Sequence, residues 1–200
     1  MLYPRKDQHD RLVSEDQMVD YKEHLRTKRI ILAFGLITGD MSFHDCLLAY
    51  DSLNHDPIKI ILTSGGGDLD ATFLLCDTIK LLKSPVWILG RYCASAAALA
   101  LSAGKKRYLM PHAKVMLHPH RMFFSAADMS DVDLEVTREQ SRLYKERMID
   151  ILIENGAKKD RQGILADIEN KDFWLEPKEA IDYGLADAIM DKKTLQGWLR

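Results

Sequence analysis

The chain has 200 residues, 46% of them hydrophobic, with 28 basic and 30 acidic residues and a formal charge of −2. That is enough for one domain burying roughly 70% of the surface its unfolded chain exposes, without help from disulfides or metals. The two signs of charge are interspersed, so no broad field favours nucleic acid or an anionic membrane as a partner.

The first stretch, "MLYPRKDQHDRLVSEDQ", has no apolar h-region and does not read as a secretory signal; residues 1 to about 25 read as a polar N-terminal arm and 26–200 as one domain. Beyond the arm a rhythm sets in. "RIILAFGLI" and "IKIILTS" are short β-branched runs, each followed by a stretch of helical period, "MSFHDCLLAYDSL" and "DATFLLCDTIKLLK". "VWILG" and "KVMLH" are two more buried-strand candidates, and between them lies an alanine-dense helix opened by Ser95. Strand and helix alternating in this way predict βαβ units, a parallel sheet and an α/β fold.

The second half changes character. "DVDLEVTREQSRLYKERMIDILIENG" sets Val132, Val136, Leu143, Ile149 and Leu152 among many charges, which predicts a long amphipathic helix ended by Gly156, with a thin apolar stripe that needs a partner surface. The longest low-charge run, residues 92–104, is too short and alanine-rich to cross a bilayer, which takes about 20 apolar residues, so a cytoplasmic protein is expected. The three cysteines, Cys46, Cys76 and Cys93, are odd in number, lie in apolar stretches and lack CxxC spacing; they read as buried free thiols rather than a disulfide framework or zinc site.

Four places could carry chemistry. "TSGGGD", residues 63–68, sits between a strand and a helix, where bare backbone amides could approach a ligand; it lacks the ending of a phosphate loop, so no nucleotide or other cofactor is expected. Ser95 is either an N-cap for the alanine helix or a nucleophile beside the partial positive charge of that helix's N-terminus, though no GxSxG elbow surrounds it. "HAKVMLHPH" places His112, His118 and His120 around one strand; with no acidic or cysteine ligand beside them, no metal site is expected. Asp172, next to Phe173, Trp174 and Leu175, is either a local cap or a carboxylate in a partly dry place that could orient a histidine. Seven histidines allow many triads on paper, so spacing alone does not select Ser95, His118 and Asp172.

Taken in order, "ILTSGGGDLDATFLLCDTIKLLKSPV", "CASAAALALSAGKKRYLMPHAKVMLHP" and "KDFWLEPKEAIDYGLADAI" resemble the proteolytic subunit of the Clp protease, the ClpP family, from about Leu25 to Met190. The resemblance implies the ClpP/crotonase-like fold with a protruding handle helix, and an ATP-dependent, Clp-type serine endopeptidase. It places the nucleophile on Ser95, the base on His118 and the orienting carboxylate on Asp172, and it assigns Gly67 and Ala96 as backbone oxyanion donors in a turn of Ser64, Gly65, Gly66 and Gly67. Gly66, Pro119, His120, Arg121 and Met122 become substrate-binding positions, taking a peptide or unfolded protein. The implied assembly is two stacked heptameric rings, with the long helix meshing between them, an AAA+ Clp ATPase as feeder and a ClpP paralogue as a further partner.

This chain departs from the family pattern in places. Gly90 stands five residues before Ser95 where the family usually has four, which suggests a small bulge behind the nucleophile. Gly65 replaces a proline, Ala96 a methionine and Ala97 a glycine, and the stretch after His118, with Met122, Phe123 and Phe124, lacks the usual glycines. Three other readings stand beside the protease. A structural ring subunit would leave catalysis to a paralogue, and a crotonase-type acyl-CoA enzyme would share the fold but want a glutamate pair near the amide turns. A serine/lysine signal peptide peptidase is disfavoured by His118.

Overall fold

The computed structural model describes residues 23–39, 43–119, 130–169 and 171–199. After a helical turn at 23–27, the chain alternates strand and helix as its hydrophobic pattern demands. The strands are β1 (Ile30–Phe34), β2 (Ile58–Ser64), β3 (Val86–Ala94), β4 (Lys106–Leu117), β5 (Phe173–Leu175) and β6 (Ala188–Ile189). The helices are α1 (Phe43–Leu53), α2 (Leu69–Leu81), α3 (Ala96–Ser102), α4 (Asp131–Glu154), α5 (Arg161–Ile168), α6 (Pro177–Tyr183) and α7 (Lys192–Leu199).

Strands β1 to β4 form a parallel sheet in chain order; β5 adds antiparallel to the far edge of β4, and β6 pairs parallel with its first half. The fold is the α/β architecture expected. In β2 the aliphatic run splits between two faces: Ile58, Ile60, Leu62 and Ser64 are buried, while Lys59, Ile61 and Thr63 are partly exposed. The buried set joins the main core with α2 and with α3, every residue of which is buried. Alanine suits α3 because a small side chain lets the helix approach the sheet closely. Cys76 and Cys93 are buried free thiols, each pushed up to about 12 by loss of solvation, while Cys46 is only half-buried.

The other sheet face carries a smaller cluster closed by the C-terminal helix. Trp198 of α7 is buried against Leu89 and Met190, with its ring 5.8 Å from Tyr108 and 6.2 Å from Trp87. Lys59 Nζ donates to the Trp198 carbonyl at 2.7 Å.

The long helix forms as its pattern predicts. Ser130 and Asp133 make a reciprocal capping box at its start, and Gly156, at φ +101°, ends it in the left-handed region glycine favours. Its stripe is divided: Ile149 and Leu152 are buried, whereas Val132, Val136 and Leu143 are 69%, 56% and 43% exposed. Docking on the domain includes Tyr144, whose ring stacks 5.8 Å from Phe73 and whose hydroxyl donates to Asp70 Oδ2 at 2.6 Å, and continues through the buried Met148, Ile149, Ile151 and Leu152, while Val132 and Val136 near the start of α4 are more than half exposed.

The strands behind the alanine helix run longer than the sequence suggests. β3 continues past Gly90 to Ala94, and β4 starts at Lys106 rather than Lys114. Both strands step out of register at one place. Gly90 pairs with Leu62 and Leu109, but the next pairs join Tyr92 to Thr63 and to Lys114, so Arg91 on β3 and residues 110–113 on β4 are left out of the ladder. This is the bulge that the extra residue implies. Past it, Cys93 and Ala94 fall back into register with Val115 and Met116. The additional residue is thus absorbed before Ser95 is reached.

Candidate active site

Three neighbouring parallel strands deliver the candidate residues at their C-terminal ends. Gly66 and Gly67 follow β2, Ser95 follows β3, and His118 follows β4. In open α/β sheets this end is where helix N-termini and loops converge on a ligand.

Ser95 is held in a conformation that an L-residue avoids, φ 59° and ψ −127°, at a cost of roughly 1–3 kcal/mol. Its backbone is pinned on both sides: its N–H donates to Met116 O at 2.8 Å, and its carbonyl accepts from Ala98 N–H at 2.9 Å. It occupies the N-cap position of α3 but makes no side-chain capping hydrogen bond. The cap reading of this serine therefore fails, and its hydroxyl points elsewhere. Ser95 Oγ lies 2.7 Å from His118 Nε2.

The direction of that hydrogen bond follows from the other side of the ring. His118 Nδ1 lies 2.6 Å from the carbonyl oxygen of Pro119. A carbonyl can only accept, so Nδ1 carries the proton, and in the neutral imidazole Nε2 is then left as an acceptor. Ser95 Oγ–H must donate to it. This is the polarity required of a base about to deprotonate a serine.

Asp172 precedes β5 by one residue. The last pair of the β4–β5 ladder joins Leu117 to Phe173 in antiparallel register, so His118 and Asp172 are the residues that come directly after and before the paired strands at this end. The same ladder pairs Met116 with Trp174, whose ring lies 6.1 Å from Tyr92. Lys114 of β4 and Glu176, the N-cap of α6, form an exposed ion pair nearby.

The glycine turn abuts the serine turn. A Cβ on Gly66, at φ +102°, would lie 2.7 Å from Ser95 Cβ, 2.8 Å from Ala94 O and 3.1 Å from Ala96 N. Ser64 ties the turn from beneath: its buried hydroxyl accepts from Gly66 N–H at 3.0 Å and donates to Gly66 O at 3.3 Å. Ile37 clamps it from the side, its N–H donating to Gly66 O and its carbonyl accepting from Asp68 N–H, both at 2.8 Å. These two bonds make a parallel bridge between Ile37 and Gly67, in which the N–H of Gly67 is directed away from Ile37. Only glycine fits there, since a Cβ at φ +143° would overlap the Ile37 carbonyl and lie 2.8 Å from its nitrogen. The Ala96 amide is the first of α3 and has no acceptor within the helix. The sequence singles out Gly67 and Ala96 but not Ile37, because nothing in the loop after β1 advertises a one-residue bridge.

Pro119 is described; His120, Arg121 and Met122, with Phe123 and Phe124, lie outside the described residues, as do residues 1–22 of the N-terminal arm. Among the described residues no cluster of three or more His, Cys, Asp or Glu side chains could hold a metal, and no helix is long and apolar enough to cross a membrane.

A strained serine at a strand-to-helix turn, bonded to an imidazole and backed by a glycine turn, is the arrangement of a serine hydrolase. Comparison with known proteins narrows the class. The Clp protease family model matches residues 13–193. A curated ATP-dependent Clp protease proteolytic subunit from Streptococcus uberis is 29% identical over 187 residues, spanning 90% of this chain and 94% of its own. Proteolytic subunit 2 from Borreliella burgdorferi is 32% identical over 198 residues, 94% of each chain. A solved structure of a ClpP1 mutant from Listeria monocytogenes superposes with a TM-score of 0.77 at 26% identity, over 90% of this chain and 99% of that one. The chain belongs to the Clp protease family.

Proposed function

We propose that this protein is a serine endopeptidase of the Clp type, cutting unfolded proteins or peptides inside an oligomeric chamber. The observation that carries the reading is the 2.7 Å contact between Ser95 Oγ and His118 Nε2 at a backbone-strained turn. A subunit serving only as scaffold has no need to hold a serine in that strain while aiming it at a correctly protonated histidine.

In this mechanism His118 Nε2 takes the Ser95 proton as Oγ attacks the scissile carbonyl. The carbonyl oxygen, now negative, is met by the amides of Gly67 and Ala96; removal of one such donor typically costs about 10²–10³ in turnover. His118 passes its proton to the leaving amine, and the resulting acyl group on Ser95 is released by a water that His118 activates in turn. Asp172 contributes negative charge on the side of the ring that becomes positive, and Gly66 and Pro119 border the peptide's path.

The family relationship supports an oligomeric ring and an association with a Clp ATPase. We assign to α4, with its exposed Val132, Val136 and Leu143, the surface between two stacked heptameric rings. In this reading a AAA+ ATPase supplies unfolded chains and the ATP dependence, a paralogue is a further ring partner, and the compartment is the cytoplasm. The test is a peptidase assay on the purified assembly. Wild type hydrolyses a fluorogenic peptide, and Ser95→Ala loses at least about 10³-fold; equal turnover by both removes Ser95 from the reaction.

A further inference from the structure

β5 is an edge strand of three residues with a strand partner on one side only, and Asp172 lies just before it, outside the paired ladder. The place of Asp172 is therefore inherited from Phe173, and whatever holds the Phe173 ring decides where the carboxylate stands. That ring lies 5.7 Å from the ring of Tyr183, the last residue of α6, and Lys159 Nζ sits over both, 5.8 Å from Phe173 and 5.3 Å from Tyr183. Asp167, near the end of α5, joins the two holders: its Oδ2 accepts from Lys159 Nζ at 2.6 Å and from Tyr183 Oη at 3.0 Å. We infer that Lys159, Asp167 and Tyr183 are positioning residues, which seat Phe173 and through it set the carboxylate of Asp172 for its work on His118. The inference rests on the reading of Ser95, His118 and Asp172 given above.

Each holder is fixed before it reaches Phe173. Lys159 directly precedes Asp160, the N-cap of α5, which accepts from Gly163 N–H at 2.8 Å, and Lys158 N–H donates to the Tyr183 carbonyl at 2.9 Å, so the turn before α5 and the end of α6 are stitched together. Tyr183 is buried, and loss of solvation pushes its hydroxyl above the ordinary tyrosine range, so it stays protonated and keeps donating to Asp167. An ammonium within about 6 Å of an aromatic face is attracted by the negative face of the ring, and Asp167 fixes the head of a long side chain that would otherwise sample many rotamers. Lys171 Nζ also lies 5.8 Å from the Phe173 ring, but Lys171 neighbours Asp172 on the same segment and moves with it. Leu175, buried in the main core, holds the far end of β5, so a loosened Phe173 releases the end that carries Asp172.

The test measures the second-order rate of Ser95 labelling by a small fluorophosphonate across pH, on the assembled full-length protein; the acid limb of that profile reports the ionisation of His118. Asp172 favours the imidazolium, so displacing it lowers the pKa of His118 and moves the limb to lower pH, whereas deleting a nearby positive charge by itself raises that pKa and moves the limb to higher pH. Lys159→Met, which keeps the length of the side chain and removes its charge, is expected to slow labelling about tenfold at neutral pH, less than the 10²-fold that a displacement of about 1 Å can cost, and to move the limb to lower pH. Tyr183→Phe, which keeps the ring and loses only the bond to Asp167, is expected to move the limb in the same direction by less. The other charges flanking this end of β4 and β5, on Lys114, Lys171 and Glu176, are unchanged in both variants. A limb that stays in place or rises in Lys159→Met overturns the inference even if the rate falls, because a loss of folded protein lowers the rate at every pH alike; a rise in Tyr183→Phe overturns it too. Adding Lys159→Met to Asp172→Asn is expected to cost nothing beyond Asp172→Asn alone, and a multiplied loss overturns the inference. If Asp172→Asn itself labels like the wild type at every pH, the reading of Asp172 has failed, an outcome distinct from an unmoved limb in Lys159→Met beside a slowed Asp172→Asn.

Discussion

Gly66 presses against Ser95 so closely that a methyl group on its α-carbon would sit 2.7 Å from Ser95 Cβ. The glycine turn after β2 and the strained turn after β3 therefore form one packed unit, and the position of Ser95 Cβ, from which the hydroxyl hangs, is constrained by backbone contact. Gly66→Ala should shift Ser95 or the Ala96 amide; displacement of a reacting group by about 1 Å can cost 10²-fold. A fluorophosphonate labelling rate lowered by at least that factor is expected. Gly65→Ala, where a Cβ meets nothing within 4 Å, should stay within a few-fold of wild type. Equal effects of the two substitutions would contradict the packing argument.

Stability in acid should depend on Asp51. The hydroxyl and the amide of Ser84 hold its carboxyl at about 2, and Arg29 Nη2 donates to the same Ser84 hydroxyl at 3.1 Å, linking the end of α1 to the loop before β3. The folded value lies below the ordinary carboxylate value of about 3.9, so the contribution is fully present above about pH 4 and is lost as pH falls through about 2. Thermal melts of wild type and Asp51→Asn should differ at pH 5 and converge towards pH 2. A difference that stays constant over that range would show that the carboxylate's ionisation does not matter.

The free portion of α4 should govern assembly. Val132 and Val136 are more than half exposed, one turn apart on one side of a helix whose ends are well capped. Replacing both with Asp adds charge near the helix N-terminus, which the helix itself tolerates, while burdening an apolar contact between rings. With the assembly proposed above, native mass measurement is expected to find the variant at half the mass of the wild type, with each subunit still folded. An unchanged mass would place the ring contact elsewhere.

Much of this architecture can be read from residues in order. The aliphatic runs at 30–34 and 58–64 alternate with amphipathic helices, and that rhythm is enough for a parallel sheet. Ser95, His118 and Gly67 stand out because their motifs occur in family order. What composition hides is geometry over short distances. Serine before "AAALAL" looks like a cap by propensity, yet φ 59° turns its hydroxyl out of capping reach and towards His118. Nothing in "GRYCAS" shows that the strand runs on past Gly90, and β3 does so by leaving Arg91 out of the ladder and pairing again from Tyr92. The three-residue β5 is too short to leave a periodic signal, although its pairing with the end of β4 is what carries Asp172 to the strand end from which His118 leaves. The Nδ1 contact with Pro119 depends on side-chain torsions that no residue pattern encodes.

The central claim is that Ser95 is a nucleophile activated by His118. Labelling of the native assembly with a fluorophosphonate, followed by peptide mapping in a mass spectrometer, tests it most directly. The account predicts one adduct per chain, on Ser95, absent in Ser95→Ala and formed at least about 10³-fold more slowly in His118→Ala. An adduct on another residue, or labelling of His118→Ala at the wild-type rate, would contradict it.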